Sequence, residues 1–151
     1  MRIRQVCMAA LLGVLISTSG TLAAGWQSPH FRDHELVGKI YAGPDRQQLT
    51  LDEVKRKAAA ARFVLLGEIH TNPDHHRLQA EILQHMVDQG RRPAVVIEMI
   101  TRAQQPVLDY FAANPTENAN DIAARLERSK SGWPDIALYK PIFDIALKQR
   151  L

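Results

Sequence analysis

The sequence predicts an α/β domain with a parallel sheet core, built on a βαβ unit with flanking helices. Three observations carry this expectation. Residues 63–66 (FVLL) and 94–97 (AVVI) are short apolar runs with defined ends, the form of buried strands. Between them Leu78, Ile82, Leu83, Met86 and Val87 recur at helical spacing. Strand, helix and strand in that order call for a right-handed crossover between parallel neighbours. A length of 151 residues suits one domain, and 46% hydrophobic against 23% charged residues indicates a folded chain.

Residues 1–24 read as a signal peptide. Arg2 and Arg4 supply the positive start, 6–16 an apolar stretch too short for a membrane span, and small residues lead to Ala23 and Ala24, where cleavage is expected. The domain proper is then 25–151. Cys7, the only cysteine, lies inside the leader, so the mature chain would carry no disulfide and no thiolate metal site. Cleavage also removes two positive charges from a net of +3. The remaining basic clusters, Lys55-Arg56-Lys57 and Arg91-Arg92, are short and lack interleaved aromatics, so no nucleic-acid partner is expected.

Residues 25–36 form an irregular lead-in containing His30 and His34. Residues 37–41 alternate as a short strand, Gly43-Pro44-Asp45 signals a turn, and 47–51 can return as a second strand. Thr50 with Glu53 three positions on is a capping box that opens a helix over 51–61. The strand 63–69 follows. Asn72 as cap and Pro73 in the first helical position start the next helix, and Gly90 stops it. After the strand 94–99, Thr101 and Gln104 form a second capping box, with Val107, Leu108 and Phe111 as an apolar face. Asn114-Pro115 breaks that helix. Further helices are expected over 121–130 and 142–150, around a loop at 131–134. Two parallel strands alone leave a sheet poorly covered, so the sequence reads as part of a larger domain.

Ligands of open α/β sheets bind beyond the carboxyl ends of the strands. Glu68 and His70 leave the first strand two residues apart, on one side, and Glu98 leaves the second at the matching point. Neighbouring strands lie about 4.8 Å apart, close enough for the two carboxylates to share a cation or a proton. Glu68, His70 and Glu98 are therefore candidate ligands for a divalent metal ion or candidate acid/base groups, and a metal-dependent hydrolase is one reading of the set. The competing reading makes the glutamates caps or ion-pair partners of Arg92 and Arg102. His75 and His76 diverge by about 100° on the helix, so at most one enters the crevice. The register favours His76 as the packed one. His85, late in the helix, reads as structural. Trp133 and Tyr139 flank Pro134 and Pro141 and suit a loop anchored on the core, although a tyrosinate can also ligate ferric haem iron.

The run LLGEIHTNPDHHRLQAEIL, the later VVIEM with Gln105, and Trp133 followed by Tyr139-Lys140-Pro141 resemble the ChaN-like haem-binding uptake family, within a superfamily that includes the Tiki proteins and erythromycin esterases. The likeness runs from about Phe63 to Ala146. It implies that 25–151 is the N-terminal part of a ChaN-like α/β domain. It also implies haem as cofactor, iron acquisition as the role, a periplasmic or outer-membrane-associated location, a homodimer and an outer-membrane haem or iron receptor as partners. Tyr139 matches the family's Tyr-x-Pro segment as candidate iron ligand, with His76 and Trp133 as further haem-binding candidates. Glu68, His70 and Glu98 match the superfamily's acidic and histidine positions. Members described as lipoproteins carry a cysteine after the apolar stretch, which is missing here.

Overall fold

The computed structural model describes residues 25–43, 45–114, 120–126 and 135–151. Among them the chain is a mixed helix and strand protein, built around one long central helix. β1 (Ile40–Ala42) and β2 (Gln47–Leu49) form an antiparallel hairpin in which Ile40 faces Leu49 and Ala42 faces Gln47. α1 (Leu51–Ala60) begins at the anticipated capping box: Thr50 accepts from the Glu53 amide, and the Glu53 carboxylate accepts from the Thr50 amide.

α2 (Pro73–Asp88) is the central helix, with α1 and α5 (Lys140–Gln149) packed on it. Asn72 caps it through the Asp74 amide at 2.9 Å. Gly90 ends it at φ +76°, a conformation that would strain a side chain. There the Arg91 amide donates to the Met86 carbonyl and the Gly90 amide to that of Val87, a closing pattern that satisfies two terminal carbonyls. α3 (Gln105–Ala113) follows a single 3₁₀ turn at Arg102–Gln104, and α4 is Asn120–Arg125. A second 3₁₀ turn, Ile136–Tyr139, runs directly into α5.

The expected parallel sheet is not formed among the described residues. Residues 63–69 and 94–99 are not strands, and no backbone hydrogen bond joins them. Their apolar runs, which suggested buried strands, are covered on one side only. Val64 packs on Ala58, Ile82 and Met86, while Val95 and Ile97 pack on a larger cluster that includes Ala80, Leu83, Phe111, Ile142 and Phe143. The opposite faces are bare: Phe63 is 76% exposed, Leu65 91% and Val96 92%. A parallel sheet is stable when both faces are covered. Here helices cover one face only, and the two segments pack on them separately. The only sheet among the described residues is the β1–β2 hairpin.

The helical expectations fare better. α1 and α2 lie where the caps place them. α5 starts two residues before the anticipated 142, because Pro141 sits in its first turn, where a missing amide costs nothing. α4 covers the first part of the expected 121–130 helix, and the loop at 131–134, with Trp133, lies outside the described residues. No described helix is long and apolar enough to cross a membrane.

Candidate functional site

The site is organised by one carboxylate. Glu68 lies near the end of the segment 63–69, just before the turn into α2, with its side chain 10% exposed. Its Oε1 lies 2.7 Å from His70 Nδ1 and accepts a short hydrogen bond from the Tyr139 hydroxyl. Its Oε2 accepts from Gln79 Nε2 at 2.8 Å and lies 3.2 Å from His76 Nδ1. Four side chains from three stretches of chain therefore converge on one anion.

Local structure explains each position. The Asn72 amide donates to the Ile69 carbonyl at 2.8 Å, which turns the loop, and His75 Nδ1 accepts from the Ile69 amide at 2.8 Å. His75 is thus spent on holding the loop, and His76 is the histidine turned inward. His76 is 1% exposed; its Nε2 donates to the His70 carbonyl at 2.9 Å, and its ring stacks at a tilt on Tyr139 with centroids 4.1 Å apart. Gln79 stands one turn further along the same helix face and also donates to the Leu66 carbonyl at 3.3 Å. Tyr139 arrives from the 3₁₀ turn before α5, a turn fixed by Asp135 accepting from the Ala137 amide. Its hydroxyl also lies 3.5 Å from His70 Nδ1 and 3.7 Å from Met99 Sδ.

Two opposed effects set the protonation of Glu68. Burial pushes its carboxyl up. Hydrogen bonds from His70, Tyr139 and Gln79, with the charge of His76, pull it down further, and the net result lies below the ordinary 4.5. Glu68 is thus an anion held by donors, and Tyr139 is held as a donor to it.

Of the expected strand-end set, the structure brings Glu68 and His70 together and leaves Glu98 out. Glu98 is exposed and takes part in none of these contacts, while its neighbour Met99 is buried against Tyr139. The matching strand ends would have required paired strands, which are absent. Among the described residues no group of three or more His, Cys, Asp or Glu side chains is placed to hold a metal ion, so Glu68, His70 and Glu98 do not assemble as a ligand set. His76 and Tyr139, expected near haem, are neighbours of each other and of Glu68. Trp133 lies outside the described residues. Sequence reasoning missed Gln79 as a partner of Glu68. Its signal was the i, i+3 spacing from His76.

A second polar contact borders the site. Asp74, 3% exposed in the first turn of α2, accepts from the Gln27 and Ser28 amides at 2.9 and 2.8 Å. Arg77 Nε lies 3.7 Å from its other oxygen, and the guanidinium lies over Trp26 at 5.3 Å. The start of the described chain is thereby strapped across the N-terminus of α2, one residue from His75.

Comparison with known proteins adds one finding. A family model described as haem-binding uptake, Tiki superfamily, ChaN, matches residues 54–151, a span that contains every member of the Glu68 cluster. No curated protein and no solved structure gives a match.

Proposed function

Because the chain belongs to the haem-binding uptake family of the Tiki superfamily, with ChaN, we propose that it is an exported haem-binding protein that serves iron uptake. The observation that carries this reading is the family match over 54–151. The leader-like residues 1–24 support export, and with it a periplasmic or outer-membrane-associated location. A homodimer and an outer-membrane haem receptor are the partners the proposal includes.

The donor chemistry of the site suits an iron porphyrin. An imidazole and a phenol stand beside one carboxylate, and both are axial ligand types for haem iron. When bound, haem would supply a ferric iron that takes such a donor. The chain's own part is to hold the donors in place: Glu68 fixes the His70 ring, Gln79 and His76 fix Glu68, and Tyr139 donates to the same carboxylate.

Titration of the purified mature chain with haemin tests the proposal. A saturable Soret shift at one haem per chain, or one per shared pair of chains, is the expected result. Absorbance that grows in proportion to added haemin, with no saturation, would remove haem binding. Fractionation of expressing cells checks the location, and mass spectrometry of the exported protein should find a start at Ala24 or Gly25.

A further inference from the structure

We infer that Arg92 is a positioning residue for the Glu68 site: by clamping the far end of α5 it sets the register of that helix on α2, and so brings the Tyr139 hydroxyl to the carboxylate. Two adjacent arginines leave the end of α2 for different helices. Arg91 Nη1 donates to the Ala59 carbonyl, and its Nη2 to that of Ala61 at 3.1 Å. Arg92 Nη2 donates to the carbonyls of Gln149 and Arg150 at 2.5 and 2.8 Å. One dipeptide thus reaches the C-terminal ends of both helices packed on α2. The last carbonyls of a helix lack partners within it and carry its negative end, so a guanidinium suits them. Gly90 at φ +76° and the bond from the Arg91 amide to the Met86 carbonyl fix the place where the two arginines depart. Arg92 is spent on carbonyls rather than on Glu68 or Glu98.

The need for a clamp follows from the two kinds of contact that α5 makes. Along its length the contact is apolar: Ile142 and Phe143 are buried, and Ile145 and Leu147 are partly buried, in the cluster that includes Ala80 and Leu83 of α2. Apolar burial has no direction, so it tolerates a small slide of one helix along another. The Tyr139–Glu68 hydrogen bond does not, because O–H···O bonds hold only over about 2.5–3.0 Å. Tyr139 ends the 3₁₀ turn that runs directly into α5, and Arg92 holds the other end, about 15 Å away along the helix. Arg150 turns the chain at φ +53°, and the Leu151 amide donates to the Ala146 carbonyl at 3.0 Å, so the Gln149 and Arg150 carbonyls are left to Arg92. A rod pinned at both ends keeps its register. Released at one end, it can shift by the ångström or so that parts a phenol from a carboxylate.

Carbon-13 NMR of the mature chain, labelled on tyrosine, tests this. The Cζ shift of Tyr139 reads the hydrogen bond of its own hydroxyl, and its signal is identified by its loss in Tyr139→Phe. Tyr41, 46% exposed, supplies a solvent reference in the same spectrum. Arg92→Ala should move the Tyr139 signal toward that of Tyr41 while circular dichroism shows the helices intact. Arg92→Gln, which keeps part of the stem but falls short of the carbonyls, should do the same. Arg91→Ala releases α1 instead and should leave the signal in place. A Tyr139 signal at its wild-type position in either folded Arg92 variant would overturn the assignment. Equal movement in Arg91→Ala and Arg92→Ala would overturn it too, since a general loosening would then explain both. No haem enters the measurement, so failure of the clamp is distinct from failure of the haem reading.

Discussion

Glu68 is the residue on which the site's electrostatics turn. Its carboxyl titrates below 4.5 in the folded chain, because the donors around it outweigh its burial. A depressed carboxyl contributes stability that is present above the unfolded value and lost as pH falls through the folded one. Acidification below about 4.5 should therefore destabilise the chain, and Glu68→Gln should flatten that part of the stability–pH curve in denaturant titrations. Tyr139→Phe removes one donor from a half-enclosed anion and should cost about 1–3 kcal/mol at neutral pH by chemical denaturation. An effect near zero would mean that water replaces the phenol without loss. Glu68 and His70 could be read from the sequence because they follow an apolar run directly, at a spacing that puts them on one side. The meeting of Glu68 with Tyr139 could not, since 71 positions separate them and only the docking of α5 on α2 brings them together. Glu98 was misplaced for a related reason: its expected position depended on a pairing partner that the local pattern does not specify.

The helices are where local signals were sufficient. Asn72-Pro73 at one end and Gly90 at the other bound α2 nearly to the residue, because caps act within a single turn. Asn72→Ala should cost about 1 kcal/mol and loosen the 69–72 turn that carries His70. Asp74→Ala should release the strap, which hydrogen exchange would read as faster exchange at the Gln27 and Ser28 amides with the middle of α2 still protected. Unchanged exchange at those two amides would show that Asp74 does not hold the segment. The extended segments mark the limit of such signals. The apolar run at 94–97 pointed to a buried strand, whereas the structure turns Val95 and Ile97 inward, leaves Val96 exposed and forms no strand. Hydrogen-bonded pairing belongs to two segments jointly, and neither one encodes it alone.

Across the whole molecule, α2 divides two apolar clusters and presents the site at its N-terminal end. The larger cluster centres on Phe111, which is fully buried, and Phe111→Ala should cost about 3–5 kcal/mol. Leu65 and Val96 lie on the bare outer faces, so Leu65→Lys or Val96→Lys should change stability by no more than about 0.5 kcal/mol. A larger loss at either position would mean that the face is covered in solution. The central claim is that α2, the loop before it and the turn before α5 meet on one ionised carboxylate. Carbon-13 NMR of the Glu68 carboxyl through a pH titration reads that meeting directly. The account predicts a midpoint below 4.5 that rises toward the ordinary value in Tyr139→Phe and in Gln79→Ala; a wild-type midpoint at or above 4.5, unmoved by either substitution, would contradict it.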